Sequence, residues 1–307
     1  MFRVKDFIET SEGLVFAVVE NGTEQGRVLC FLRYVMSQTG WQKQSTLQAN
    51  AWLDQHYPEY RYYSPLKDAH LHAVPASRIS RHYQPRQRLP AIVQDPCHDP
   101  VEKDLQRLYR LFRELGIDVK VMGVTGSLLL GAQNVNSDID LVFYDRVQFH
   151  QARTAVRELI GRGLLQDLGE ADWLASYDRR GCHLSLEEYR RHEQRKDNKA
   201  LINGRKFDLS LVNQTAVADE RWQKYGKIVL QCPVSDAAMA FDYPALLQVE
   251  HPEIKSVVSY TATYTGQALA GERIEVAGCL EKSEAGVWRI VVGSSREAEA
   301  EFIKVVG

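Results

Sequence analysis

Apolar and polar positions alternate in short runs at the start of the chain. VKDFIET, EGLVFAVVE and RVLCFLRYV predict three strands within residues 2–36, with Asn21-Gly22 as turn chemistry between the second and third. STLQANAWLDQHYPEY follows with the look of a helix, Ser45 near its start. Residues 61–90 then lose any clear period and fill with prolines and basic side chains, which predicts a linker or extended arm. A helical period returns in DPVEKDLQRLYRLFRELG. Asp99 suits its N-cap, Pro100 its first helical position and Gly116 its C-cap, while Leu105, Leu108, Leu111, Phe112 and Leu115 supply a buried face. DVKVMGVTGS reads as a strand into a Gly-Ser turn, LLLGA as a short helix, DIDLVFYD as a strand and RVQFHQARTAVRELIG as a long helix. SLEEYRRHEQRKDNK predicts another helix, with Ser185 and Glu188 spaced as a capping box, and GRKFDLSLV another strand. From about Gly226 the pattern changes to strands parted by Gly and Pro: VVSYTATYTG, ERIEVAGCLE, VWRIVVGSS and EFIKVV.

This order predicts a mixed α/β chain in three parts: a small N-terminal α+β domain with an extended arm over 1–95, a central α/β domain over 96–225, and an all-β domain over 226–307 that could close into an OB-like barrel. A length of 307 residues accommodates such a division. The 38 Lys plus Arg against 40 Asp plus Glu give a formal charge of −2, so any polyanion site must be a local patch. Cys30, Cys97, Cys182, Cys232 and Cys279 lie far apart without a C-x-x-C pair, which predicts reduced thiols and neither a zinc knuckle nor a disulfide framework. The charged N-terminal stretch and the absence of eighteen consecutive apolar residues predict a cytoplasmic protein with no membrane partner.

One stretch, GVTGSLLLGAQNVNSDIDLVFYD, carries chemistry. On a strand, residues two apart share a face, so Asp138 and Asp140 project together while Ile139 and Leu141 enter the core. Two adjacent carboxylates repel, and a hard oxygen-seeking cation between them relieves this, most simply Mg²⁺, with Mn²⁺ as its substitute. Gly126-Ser127 lies where a strand turns into a short helix, a place that favours phosphate. A cation and phosphates together predict a nucleoside triphosphate as substrate. Asp208, in Lys206-Phe207-Asp208-Leu209-Ser210, is the candidate third carboxylate, since two-metal phosphoryl transfer needs a further ligand for the metal that activates the attacking hydroxyl.

Gly126-Ser127, ten intervening residues, Asp138-Ile139-Asp140-Leu141 and a later apolar-Asp-apolar strand resemble the signature of the DNA polymerase β-like nucleotidyltransferase superfamily. That group includes CCA-adding enzymes, poly(A) polymerases, kanamycin nucleotidyltransferase and the minimal nucleotidyltransferases of toxin–antitoxin pairs. The resemblance covers about residues 100 to 215, and the whole chain is similar to uncharacterised three-part nucleotidyltransferases of prokaryotes. It implies transfer of a nucleoside monophosphate, with ATP the first donor to test, onto an acceptor hydroxyl with release of pyrophosphate. By the same resemblance Gly126 and Ser127 would hold the triphosphate, Asp138 and Asp140 both metals, and Asp208 the catalytic one. Gly131 and Ser137 also match the minimal members, whereas Leu130 stands where those members often carry Arg.

Other features have two readings each. The basic run from Arg179 to Lys206 suits triphosphate or nucleic acid, or a solvated helix face, with Arg205 and Lys206 singled out because they border Asp208. Arg78, Arg81, Arg86 and Arg88 with Tyr62, Tyr63 and Tyr83 suit base stacking, or a connector packed on the core. His70 and His72 lack further metal ligands and read as ordinary histidines, and Tyr260, Tyr264 and Trp288 are the aromatic candidates on the C-terminal strands. The acceptor is therefore expected to be a nucleic-acid 3′ end or a protein hydroxyl, as in nucleotidylylating antitoxins. The competing class is a catalytically inert nucleotidyltransferase fold acting as a nucleic-acid-binding or scaffold module.

Overall fold

In the computed structural model, which describes residues 1–94, 96, 99–212, 220–295, 298 and 300–306, the chain gathers into two compact units. The first comprises Met1–Ser64, His70–Asp167 and Asn198–Val217, and the second Pro65–Ala69, Leu168–Asp197 and Ala218–Gly307. The chain is mixed α/β. Residue 225 lies inside a strand of the second unit.

The first unit opens with β1 (Phe7–Thr10), β2 (Leu14–Val18), β3 (Arg27–Ser37) and β4 (Gly40–Lys43), followed by helix α1 (Thr46–His56). Ser45 caps α1 through a capping box with Gln48. The proline-rich segment expected as an arm instead supplies β5 (Arg61–Ser64), β6 (Ala69–Pro75), β7 (Ile79–Tyr83) and the start of α2 (Pro85–Gln94). Pro75 ends β6 and Pro85 opens α2, while Pro90 lies inside that helix. The strands form a sheet in the order β5-β6-β3-β2-β1-β7, with β4 on β3. Ile8, Phe16, Leu32, Leu53, Tyr60 and Val74 build the core between this sheet and α1. His72 lies in that core: the Leu32 N–H donates to its Nδ1 at 3.0 Å, and Asn50 Oδ1 lies 2.9 Å from its Nε2. His70 is exposed beside Tyr63. The arm's side chains are likewise engaged: Tyr62 donates to Glu24, Tyr83 to Glu9, and Arg78 pairs with Glu12.

Next in this unit come α3 (Pro100–Glu114), β8 (Met122–Thr125), α4 (Gly126–Leu130), β9 (Ile139–Phe143), α5 (Arg146–Gly161), β10 (Lys199–Ile202) and β11 (Arg205–Leu211). Asp99 accepts from Val101 and Glu102 N–H groups, the N-cap expected from the sequence. The second sheet runs β10-β11-β9-β8, with β11 and β9 parallel and the outer pairings antiparallel. Phe112 of α3, Phe143 of β9 and Phe149 of α5 interlock edge to face at 6.5 and 5.9 Å. The other side of β8 takes α2, and Gly123 permits it, since a Cβ there would lie 2.7 Å from Pro85.

The second unit holds α6 (Glu170–Arg180) and α7 (Leu186–Gln194), the latter capped by Ser185 and Glu188 as expected. Its sheet comprises β12 (Trp222–Asp236), β13 (Ala245–Val249), β14 (Ile254–Ser259), β15 (Arg273–Ser283), β16 (Trp288–Val292) and β17 (Phe302–Val305). The order β12-β13-β14-β16-β15-β17 closes on itself, because β12 pairs with β13 at its end and with β15 along most of its length. Closure leaves fewer unpaired edges. Lys196 and Glu193 form an ion pair with 1% side-chain exposure each, and Lys196 Nζ also donates to the Thr263 carbonyl at 2.8 Å. His192 is held neutral, its pKa pushed down to about 4 by burial, and its Nε2 accepts from the Val305 N–H at 3.0 Å.

Cys30, Cys232 and Cys279 are buried, Cys182 is half-buried, and all four are free thiols; Cys97 lies outside the described residues. Among the described residues no helix is long and apolar enough to cross a membrane.

Candidate active site

β9 buries Ile139, Leu141 and Phe143 on one face, so alternation turns Asp140 to the other. β11 does the same with Phe207, Leu209 and Leu211, leaving Asp208 half-exposed. Register then aligns the two carboxylates. Asp208 pairs with Asp140, Asp140 with Thr125 on β8, and Asp208 with Lys199 on β10. Directly paired residues share a face, so a single row, Thr125, Asp140, Asp208, Lys199, crosses all four strands.

Each end of this row is fixed. Thr125 Oγ1 donates to the Lys5 carbonyl at 2.9 Å. Lys199, with only 7% side-chain exposure, places Nζ 3.9 Å from Asp208 Oδ2. Asn198 Nδ2 donates to Asp208 Oδ1 at 3.0 Å and to the Leu209 carbonyl at 3.1 Å. Lys199 was only one member of a basic run in the sequence; its place opposite Asp208 needed β10, which the sequence reading did not separate from the tail of α7.

Gly126 sits against the row. Its φ is +67°, and a Cβ there would lie 2.3 Å from Asp140 Oδ2. Glycine is required twice over, by the backbone and by the carboxylate. Gly126→Ala is expected to lower stability by about 1–3 kcal/mol and to force Asp140 out of the row; urea denaturation at wild-type level would show that the contact is slack. Gly131 ends α4 in the left-handed region at φ +73°, which explains glycine at that position. Ser127 lies in the first turn of α4 and its carbonyl accepts from the Gly131 N–H.

The loop that delivers Asp138 is held from β11. Arg205 donates from Nη1 to the carbonyls of Val135 and Ser137, both at 2.8 Å, and from Nε to Asp104 of α3 at 2.8 Å. Ser137 in turn closes the loop, accepting from the Asn134 N–H on Oγ at 3.0 Å. Both residues, expected at the nucleotide, thus position the strand start in this structure. Lys206, by alternation, shares the face of Asp208.

The N-terminal sheet reaches the same place. Phe7, Val15 and Tyr34 pack with Leu129 and Leu130 of α4 in one buried cluster. Tyr34 lies near enough to Asp140 that the carboxylate adds to the effect of burial in raising the phenol's pKa. Arg88 of α2 donates to the Leu128 carbonyl at 3.0 Å and pairs with Glu102, bracing α4 from the other side.

Comparison with known proteins gives one full-length relative. "Uncharacterized protein MJ1086" of Methanocaldococcus jannaschii is 32% identical over 335 residues, covering 99% of this chain and 98% of its own. This chain belongs to its family. No family model matches, and no solved structure matches. The site's chemistry is read from its residues.

Those residues suit a hard divalent cation in kind, since Asp138, Asp140 and Asp208 offer oxygen alone; Asp138, expected on the strand beside Asp140, lies instead in the loop just before β9, while Asp140 and Asp208 pair on neighbouring strands. They are not drawn together. Among the described residues no three His, Cys, Asp or Glu side chains gather in metal-holding range. At Asp208, Oδ1 accepts from Asn198 and Oδ2 lies 3.9 Å from Lys199 Nζ.

Proposed function

We propose that this protein is a metal-dependent nucleotidyltransferase of the polymerase β-like kind, moving a nucleoside monophosphate from a triphosphate, ATP first, to an acceptor hydroxyl. The observation that carries this reading is the registered row Thr125-Asp140-Asp208-Lys199 with Gly126 seated on the Asp140 carboxylate. Gly126, Asp140 and Asp208, from three distant parts of the sequence, lie along one sheet face, which supports the resemblance. Asp138 and Asp140 would hold Mg²⁺ or Mn²⁺ and Asp208 would complete the set. When bound, the cation neutralises charge developing on the oxygens of the reacting phosphate. Gly126 and Ser127 would receive the triphosphate, and Lys206 would add charge from the Asp208 face. Arg205 and Ser137 keep the loop before Asp138 in place.

The closed ring of the second unit supports reading it as an OB-like barrel, with β12 to β16 as its five strands. A single-stranded nucleic-acid acceptor suits it: Tyr225 is exposed and meets the ring of Trp288 at 4.8 Å, with Lys282 Nζ 4.8 Å from that ring's centre. Tyr264, in contrast, is buried and belongs to the core.

A second reading, an inert fold that binds nucleic acid, is favoured by one observation: a lysine ammonium already stands at Asp208. Equilibrium binding separates the two. The enzyme reading expects Mg²⁺-dependent ATP binding that Asp138→Asn abolishes, while salt-sensitive RNA binding indifferent to metal and triphosphate supports the inert one.

A further inference from the structure

We infer that the open edge of β12 between Lys227 and Gln231 pairs, antiparallel and about a two-fold axis at Val229, with the same edge of a second copy of this chain. The inference concerns the second unit alone and stands apart from the nucleotidyltransferase reading. One edge of β12 is paired with β15 along most of its length, from Trp222 opposite Ser283 to Pro233 opposite Arg273. The other edge, among the described residues, is held at its two ends. At one, the Trp222 N–H donates to the Leu66 carbonyl and the Lys224 N–H to Asp68 Oδ2, both at 3.0 Å; at the other, the Pro233 carbonyl accepts from the Glu250 N–H at 3.0 Å. The Val234 N–H donates to the Glu272 carbonyl on the β15 side, which fixes the alternation in between: Ile228, Leu230 and Cys232 turn their backbone groups to β15, and Lys227, Val229 and Gln231 turn theirs away. There those three meet no backbone partner among the described residues.

An open edge is a template for another strand, and this one fits itself. A second copy centred on Val229 sets Val229 against Val229 and Lys227 against Gln231 on both sides of the axis, three pairs that exchange two hydrogen bonds each. The side chains agree with that register. Val229 is 66% exposed, with Lys227 and Gln231 exposed beside it. Gln231 Nε2 donates to Glu275 Oε2 at 2.7 Å, so each Lys227 ammonium arrives beside a carboxylate of the other copy. Parallel pairing in the same register would instead set Lys227 against Lys227. The contact also ends by itself. Register with β15 shifts at Gly226, whose φ is +107°, a bulge that turns the strand, and Pro233 has no N–H to continue the ladder. The two copies therefore part after three pairs, and the contact closes as a dimer instead of growing into a fibre.

The test is sedimentation equilibrium of the full chain in wild type, Lys227→Glu, Val229→Pro and Lys227→Glu/Gln231→Lys, with hydrogen exchange of the β12 amides and circular dichroism to confirm the fold. Val229→Pro removes the N–H at the axis without touching a bond to β15, and Lys227→Glu guards against a proline variant that fails to fold. The expected result is a wild-type dimer with a dissociation constant below about 100 μM, weakened at least about tenfold by each single change and restored in the double variant. A wild-type chain that stays monomeric overturns the proposal, and slow exchange at Val229 in that monomer would show the edge covered from within its own chain. A dimer that a folded single variant leaves intact, or that the double variant fails to restore, overturns it as well.

Discussion

In Asp140→Asn, label transfer from an α-labelled triphosphate is expected to fall by at least about a thousandfold while the melting temperature holds or rises. Asp140 is the centre of the row, paired in register with Thr125 on one side and Asp208 on the other. An amide of the same shape keeps the strand, its alternation and the fit against Gly126. It removes the negative charge that a cation requires, and it also relieves like-charge repulsion with its register partner Asp208, which is why stability should not fall. Circular dichroism with thermal melting checks the fold, and the transfer assay checks the chemistry. Unchanged transfer would remove Asp140 from the reaction; a collapsed fold would make it a structural residue.

Leu130→Arg is expected to destabilise the chain by about 3–5 kcal/mol. The substitution introduces the residue that the resemblance to minimal nucleotidyltransferases would lead one to expect at this place. Here Leu130 is 8% exposed and packs with Phe7, Val15 and Tyr34 of the N-terminal sheet. A guanidinium in that cluster would lose the apolar contact and find no carboxylate among the cluster's residues. Urea unfolding gives the number directly. Stability near wild type would mean that the N-terminal sheet yields easily at α4 and that the cluster is not a fixed interface.

The same residue shows what was legible in the sequence. Alternation and capping revealed β1 to β3, α3, α5 and α7, because each carries its own period and its own end signals: Asp99 and Ser185 cap the helices they were expected to cap. Asp140 and Asp208 could be placed on strands for the same reason, each bracketed by apolar neighbours. Register between the strands was not legible, because pairing of β11 with β9 depends on tertiary packing and leaves no local mark. Lys199 was missed on that account: four residues, KALI, are too short to show a period. The segment from Arg61 to Arg88 was misread as an arm because prolines and arginines mask a strand pattern of only four to seven residues. Its tyrosines and arginines, which suggested nucleic acid, are largely committed to Glu9, Glu12, Glu24 and Glu102. Arg205 was singled out for its neighbour in sequence, Asp208, yet alternation turns it to the other face, where Asp104 holds it.

The measurement that tests the central claim most directly is a transfer assay with the four α-labelled triphosphates and Mg²⁺, offering total RNA, single-stranded DNA and protein extract to wild type and to Asp138→Asn/Asp140→Asn. The account predicts label on one acceptor class, from wild type alone. Label on no acceptor, from a wild-type chain that still binds triphosphate, would contradict it.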